Sequence, residues 1–343
     1  MQSPQKYKLS LTFLLFIVLA TAFLNISLGS VDIPFKEVFA VIFNGEVSKE
    51  SWRYIILEYR IPKAITSILA GSGLAVSGML MQTMFRNPLA GPYVLGLSSG
   101  ASLGVALVLM GASLFGGIAL SLLLSGWGMV IASSLGSLLV LLAVMAASIR
   151  LKDTMAILII GLMFASLTSA VVSVLSYFSP ADQLQQYVFW SFGSVGNLNW
   201  QEVGVLSFFW ALGIILAVSR IKNLNSLLLG EQYAKSLGIS INKNRAVLII
   251  ATSFLAGSIT AFAGPIAFVG LAVPHLIRQI IPTNDHRILL PAVILGGAIL
   301  MLFCDIVAQL PGTNYTLPIN AITSLVGAPV VIWLLVRKQK FIF

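Results

Sequence analysis

Apolar runs of about twenty residues, broken by short charged or turn-rich intervals, set the pattern of this chain. The extreme case lies between Arg86 and Arg150, where no charged side chain occurs. As a helix rising about 1.5 Å per residue, that stretch reaches roughly 90 Å. A hydrocarbon core is roughly 30 Å thick, so the stretch crosses it at least twice. Helix is the form lipid permits, because a helix satisfies its own backbone polar groups and offers only side chains to the hydrocarbon. The runs predict ten spans, near residues 9–29, 60–84, 93–110, 118–148, 154–179, 203–219, 246–263, 266–281, 288–310 and 318–336. Gly111, Gly116 and Gly117 mark the turn inside the long uncharged stretch. The expectation is one all-α integral membrane domain over residues 1–343, with a polar segment at 220–245.

Orientation follows from lysine and arginine, which collect in loops that stay cytoplasmic. With the N-terminus inside, the inner segments hold Lys6, Lys8, Arg86, Arg150, Lys152, Arg220, Lys222, Lys235, Lys243, Arg245, Arg278, Arg287, Arg337, Lys338 and Lys340, which is 15 of the 20. The remainder, Lys36, Lys49, Arg53, Arg60 and Lys63, belong to one outer region between the first two spans. Three crossings between Arg86 and Arg150 would spoil this asymmetry. Two crossings there, ten in all, and both termini in the cytoplasm are consistent with it.

Composition agrees. Charged residues make up 9% and apolar residues 58%, against about 25% charged in soluble domains, and the mean hydropathy is +0.99. The net charge of +9 sits in short loops, a placement that suits a membrane rather than nucleic acid. Cys304 is the sole cysteine, so no disulfide framework or thiolate cluster is available. Lys6 and Lys8 precede an apolar run from Leu9 to Leu28, and Ala20, Thr21 and Ala22 have the look of a signal cleavage site. The run continues past that triplet and many spans follow, so the segment reads as an uncleaved first helix. A faint echo links Leu69-Ala70-Gly71-Ser72 to Leu255-Ala256-Gly257-Ser258, with Ala75 and Gly78 matching Ala261 and Gly264 at the same offset. In this topology the copies run in opposite directions, as in the inverted repeats of transporters; chance among small residues of packed helices explains it equally.

Several chemistries lack their residues. No glycine precedes a lysine, so there is no phosphate-binding Walker loop. Of the histidines, His286, between Asp285 and Arg287 in a polar loop, reads as a solvated side chain, and His275, after Pro274, as locally hydrogen-bonded rather than a metal ligand. Asp305 is the one acidic residue inside a span, toward its outer end. Ion-coupled carriers bury ionisable groups along their path, so any uphill transport here draws its energy from a partner.

The segment RIPKAITSILAGSGLAVSGMLMQTMFRNPLAGPYVLGLSSGASLG, residues 60–104, runs from a basic outer rim (Arg60, Lys63) into a small-residue helix. That helix ends at Arg86, Asn87 and Pro88, and Pro88 and Pro92 stop one helix and start the next. Gly96, Gly100 and Gly104 then recur every four residues, a spacing that lets helix backbones touch. The segment resembles the signature of the FecCD-type permeases, membrane subunits of ATP-driven importers for iron–siderophores, haem and cobalamin. The resemblance extends over nearly the whole chain. It includes WSFGSVGNLNW at 190–200, LLLGEQYAKSLGI at 227–239, GPIAFVGLAVPHLIR at 264–278 (with Gly264, Pro265, Pro274 and His275), DHRILLPA at 285–292 and LPINAITSLVGAPVVIWLL at 317–335.

The resemblance implies the fold of a type II importer permease in the cytoplasmic membrane. It also implies a second permease copy with the solute path on the two-fold axis, two cytoplasmic ATPase subunits and an extracytoplasmic solute-binding protein. This chain would bind no cofactor or metal, and ATP would be used by the partner. It further implies that Leu227–Ile239 couples to the ATPase through Leu229, Gly230, Glu231, Ala234, Leu237 and Gly238. In that reading Glu231 opens a short helix, Ala234 and Leu237 form its apolar face and Gly238 ends it; an amphipathic surface helix is the plainer alternative. Arg60 and Lys63 resemble docking positions for acidic groups of the binding protein, though headgroup anchoring suits them too. Gln309 stands where relatives often carry a further basic residue, and Asn320 replaces a glycine common in the family.

Ser166, Ser169, Ser173 and Ser176 share one helical face, suited either to lining a solute path or to packing on neighbouring helices. Tyr187, Phe189, Trp190, Phe192 and Trp200 suit either a short outer helix or an interfacial aromatic belt. The expected function is a non-catalytic permease subunit that moves a metal–chelate by alternating access. The rivals are an ion-coupled secondary carrier relying on Asp305, and an intramembrane enzyme, for which no nucleophile, acid dyad or metal cluster is apparent.

Overall fold

The computed structural model describes residues 4–111, 126–150, 154–313 and 315–336. Gly116, Gly117, Lys152, Arg337, Lys338 and Lys340 lie outside the described residues. The structure is helical throughout, with no strand among the described residues. In chain order the helices begin with α1 (Pro4–Ser27), α2 (Phe35–Ile42) and α3 (Glu50–Ile55). A π-helical turn, Ile56–Arg60, joins α3 to α4 (Ile61–Phe85). After a 3₁₀ turn at Pro92–Leu95 come α5 (Leu97–Gly111), α6 (Gly126–Arg150), α7 (Thr154–Phe178), α8 (Ala181–Ser191) and α9 (Trp200–Ser219). The polar segment holds α10 (Ile221–Leu228) and α11 (Glu231–Ser236). Next is α12 (Ile241–Thr252), which passes through a second π turn, Ser253–Gly257, into α13 (Ser258–Ala263). The chain closes with α14 (Val269–Ile280), α15 (His286–Ala308) and α16 (Ile319–Val336).

Among the described residues, helices fall at all ten predicted span positions, and seven are long and apolar enough to cross a membrane. Leu97–Gly111 and Ile319–Trp333 are shorter apolar helices, and α14 has 12 residues. Length alone therefore leaves the count of ten resting on charge placement. The second span begins earlier than expected, since α3, the π turn and α4 make one helix of 36 residues. At about 1.5 Å per residue it exceeds the hydrocarbon thickness by roughly 24 Å, so its charged first third projects beyond the core.

The chain sorts into two compact units. One comprises residues up to Met79, Ser194–Phe208 and the chain from Ile266 on. Its core packs Val18 of α1, Ala64 of α4 and Ala298 and Leu302 of α15. Backbones touch where glycines allow it: a Cβ on Gly71 would lie 2.1 Å from the Gly297 carbonyl oxygen, and one on Gly78 would lie 1.8 Å from that of Gly270. Gly270 is the i−4 acceptor that Pro274, lacking an N–H, cannot engage, so the close approach of Gly78 fills the space beside that carbonyl. The other unit comprises Leu80–Gly193 and Phe209–Pro265. There the Gly96, Gly100 and Gly104 row lies on α6, where a Cβ at Gly100 would sit 2.5 Å from the Gly136 oxygen and one at Gly104 2.0 Å from the Ala132 oxygen. Ser137 of α6 donates to the Leu97 carbonyl at 3.0 Å.

Candidate functional site

The polar segment expected to couple to an ATPase is built on two glycines. Gly230 (φ +108°) and Gly238 (φ +81°) bracket α11 in left-handed backbone that side chains disfavour. Gly238 N–H donates to the Lys235 carbonyl at 2.9 Å and Ile239 N–H to the Ala234 carbonyl at 3.1 Å. This is the paired pattern of a Schellman stop with glycine at C′. Ala234 is buried, while Leu229, Tyr233 and Leu237, four residues apart, are 65%, 49% and 56% exposed. The apolar face expected at Ala234 and Leu237 is therefore split. Ala234 packs inward, while Tyr233 of α11 and Leu229 and Leu237 on either side of it are exposed, with Tyr233 not foreseen. Glu231 faces Arg245 of α12 across 3.4 Å, so it has a partner within the chain. The Arg86 guanidinium lies 3.7 Å from the Cβ position of Gly230, which brings the α4–α5 turn against α11. That turn is held by Asn87, whose Oδ1 accepts the Leu89 N–H at 2.9 Å and whose carbonyl accepts the Ala90 N–H at 3.1 Å, with Pro88 between. Gly96 ends the following 3₁₀ turn at φ +75°.

The outer basic residues have internal roles. Arg60 is 8% exposed, and its guanidinium donates to the carbonyls of Ile26 (2.9 Å), Ser27 (2.8 Å) and Val31. Ile26 and Ser27 are terminal residues of α1, whose last carbonyls lack helical partners and carry the negative end of the dipole. Arg60 is thus a cap for α1, and Gly29 lies so close over it that a Cβ there would fall 2.9 Å from Nη2. Lys63 Nζ pairs with Asp305 Oδ1 at 3.2 Å. Asp305 Oδ2 accepts from Asn25 Nδ2 at 2.8 Å and Gln309 Nε2 at 2.9 Å. Arg60, buried, and Lys63, partly exposed, thus both engage acceptors of their own chain. Gln309, noted as a departure, is an amide donor in the same cluster.

Between α13 and α14 the helix breaks at Gly264 (φ +74°), Pro265 and Phe268 (φ +65°). A Cβ on Gly264 would meet the Trp190 carbonyl oxygen at 2.7 Å. Asn320 Oδ1 accepts the Ala267 N–H at 3.0 Å, a bond that a glycine at this position has no side chain to make. Pro274 and His275 are buried in α14.

A profile of the FecCD transport family matches residues 15–337. The chain belongs to the FecCD transport family. It is 34% identical over 334 residues to the hemin transport system permease protein HmuU of Yersinia pestis, covering 97% of each chain. It is 35% identical over 301 residues to the vitamin B12 import system permease protein BtuC of Klebsiella pneumoniae, covering 86% of each. A solved inward-facing metal-chelate type ABC transporter superposes with a TM-score of 0.82 at 30% identity, over 96% of this chain and 99% of that one.

Two sets of residues in this FecCD chain stood between alternatives. Ser166, Ser169 and Ser173 are exposed on α7, so they do not pack on helices of the same chain. Ser166 and Ser173 donate back to the carbonyls of Leu162 (3.1 Å) and Ser169 (2.9 Å), and the half-buried Ser176 to that of Val172 (2.8 Å). Of the aromatic group, Tyr187, Phe189 and Trp190 form part of the short helix α8, with Tyr187 hydrogen-bonded to Ser102. Trp200 starts α9 and donates Nε1–H to the Leu57 carbonyl at 3.1 Å.

The echoed Ser72 and Ser258 share a local geometry. Each hydroxyl bonds the i−4 carbonyl (2.6 and 2.5 Å) and the i−3 carbonyl (3.3 and 3.4 Å). The glycines before them differ, since Gly71 is crowded and Gly257 meets nothing within 4 Å.

Proposed function

We propose that this chain is the permease subunit of an ATP-binding-cassette importer in the cytoplasmic membrane, carrying a metal–chelate such as haem, cobalamin or a ferric siderophore. The observation that supports the reading is the set of exposed apolar side chains Leu229, Tyr233 and Leu237 on and beside a short helix flanked by two glycines. Three large apolar side chains presented to the cytoplasm on a stiff support suit burial in a cleft of a second protein. The permeases named for hemin and vitamin B12 cover nearly the same length, which supports a solute of that class.

In the proposed mechanism two ATPase subunits grip these side chains in each of two permease copies. Closure of the ATPases displaces α11. Gly230 passes the displacement to Arg86 and the α4–α5 turn, and Glu231 passes it through Arg245 to α12. The π turn at Ser253–Gly257 gives α12–α13 a local place to change its hydrogen-bonding pattern. A binding protein delivers the solute outside, and the exposed serine face of α7 suits the wall of a path between two copies. Asp305, which an ion-coupled carrier would need, is buried against Lys63 and two amides, the arrangement of a structural carboxylate.

The test is co-purification with the cognate ATPase. Leu229→Asp/Leu237→Asp should leave insertion intact and weaken ATPase association at least about tenfold, since each leucine contributes about 1.5–3 kcal/mol when fully buried. Unchanged association and unchanged stimulated hydrolysis in this variant would overturn the reading.

A further inference from the structure

We infer that α2 and Phe43 form a lipid anchor, in which Phe35, Phe39, Ile42 and Phe43 sit among phospholipid acyl chains at the membrane boundary. At 3.6 residues per turn α2 divides into three arcs rather than two. Val38 and Val41 occupy the first and are buried with Ile33 and Ile56. Lys36, Glu37 and Ala40 occupy the second. Phe35, Phe39 and Ile42 occupy the third, with Phe43 adjoining it, and all four side chains are exposed, Phe43 to 75%. A surface helix in water carries one apolar face, turned inward. A second apolar arc, uncovered and built of three phenylalanines, needs a non-aqueous neighbour.

The structure also indicates which neighbour. Leu9, Phe16 and Phe23 recur every seven residues and so share one line along α1. Leu9 and Phe16 are exposed on this span, so the line faces lipid. Its upper end, Phe23, lies 4.6 Å from Phe39 and 6.1 Å from Phe35 between ring centroids, and Phe39 stacks on Phe43 at 6.1 Å. The line of a transmembrane helix that is exposed at Leu9 and Phe16 thus ends at the half-buried Phe23, whose ring meets the phenylalanine row of α2. A protein partner placed on that row would have to displace lipid from the span beside it.

Polar groups keep to the remaining arc. Lys36 is exposed next to the phenylalanines, in register to reach headgroup phosphates. Glu37 accepts from the Ser48 N–H (3.0 Å) and hydroxyl (2.5 Å). The anchor would set the depth of the α1–α3 connection, whose first carbonyls Arg60 caps.

The test uses single cysteines at Ile42 and Phe43, nitroxide-labelled in the full chain reconstituted in phospholipid vesicles. Cys304 is buried, and the wild-type chain treated alike supplies the background. Labels at 42 and 43 should collide several times more often with dissolved oxygen than with a water-soluble nickel chelate, and a label at Glu46 should show the reverse. Preferential access to the nickel chelate at 42 and 43 would place the row in water. Protection from both reagents would place it under protein. Either result overturns the anchor.

Discussion

Lys63→Met separates a residue that holds the fold from one that greets a partner. The pair it forms with Asp305 spans 3.2 Å, with the carboxylate side chain 3% exposed and the lysine 21%. At that distance and an effective dielectric of about 20, the gross attraction is roughly 5 kcal/mol, most of it offset by desolvation of the two charges. Removing the ammonium leaves the carboxylate with the Asn25 and Gln309 amides as donors. Breaking a fully buried pair costs about 3–5 kcal/mol. Water reaches the partly exposed lysine site, so about 2–3 kcal/mol is expected for Lys63→Met. Asp305→Leu strands the ammonium and both amides and should cost about 3–5 kcal/mol. The double variant strands no ammonium and should cost less than Asp305→Leu, about 2–4 kcal/mol from the two stranded amides. Thermal unfolding of the detergent-purified protein reads these values, at about 2–4 °C for each kcal/mol. The expected signature is a double variant that melts above Asp305→Leu, because removing the lysine relieves the stranded ammonium. If Lys63→Met leaves the melting temperature unchanged and instead weakens capture of the binding protein, Lys63 is a docking charge and the reasoning fails.

Other substitutions probe the packing and the cytoplasmic helix. Gly78→Ala places a methyl 1.8 Å from the Gly270 oxygen and Gly104→Ala places one 2.0 Å from the Ala132 oxygen. Both should sharply lower the monodisperse yield on size-exclusion chromatography, whereas Gly204→Ala in α9, with nothing within 4 Å, should match wild type. Gly238→Ala forces alanine to φ +81° and should cost about 1 kcal/mol locally, read as reduced permease-stimulated ATP hydrolysis with normal insertion. Glu231→Lys should reduce stimulated hydrolysis while the protein remains folded, and the exchange Glu231→Arg/Arg245→Glu should recover part of it if the pair positions α11. Asn320→Gly removes the acceptor of the Ala267 N–H and should lower the melting temperature by a few degrees.

The spans were legible because lipid imposes one rule on composition, and the break points at Asn87-Pro88, Gly264-Pro265 and Gly238 follow from backbone geometry that few residues tolerate. Short α14 was readable only with its motif, since twelve residues give a weak apolar run. Side-chain partners across the fold were less legible. Arg60 and Lys63 read as surface charges because their acceptors lie far along the chain, at the end of α1 and in α15. A signal existed all the same, because Asp305 is an acid inside a span and such a group demands a cation. The inward turn of Ala234 and the outward turn of Tyr233 depend on how α11 docks against its own chain, which periodicity over six residues does not resolve. Asn320 could not be interpreted without the loop at Ala267 that it holds.

Solute uptake in proteoliposomes distinguishes a partner-driven permease from a self-sufficient carrier. The purified chain is reconstituted alone, with its ATPase, and with ATPase and binding protein, and accumulation of a labelled chelate is followed with and without internal-facing ATP. Accumulation against a gradient is expected only when ATP and the ATPase are present, insensitive to a protonophore. Accumulation by the chain alone, abolished by the protonophore, would contradict it.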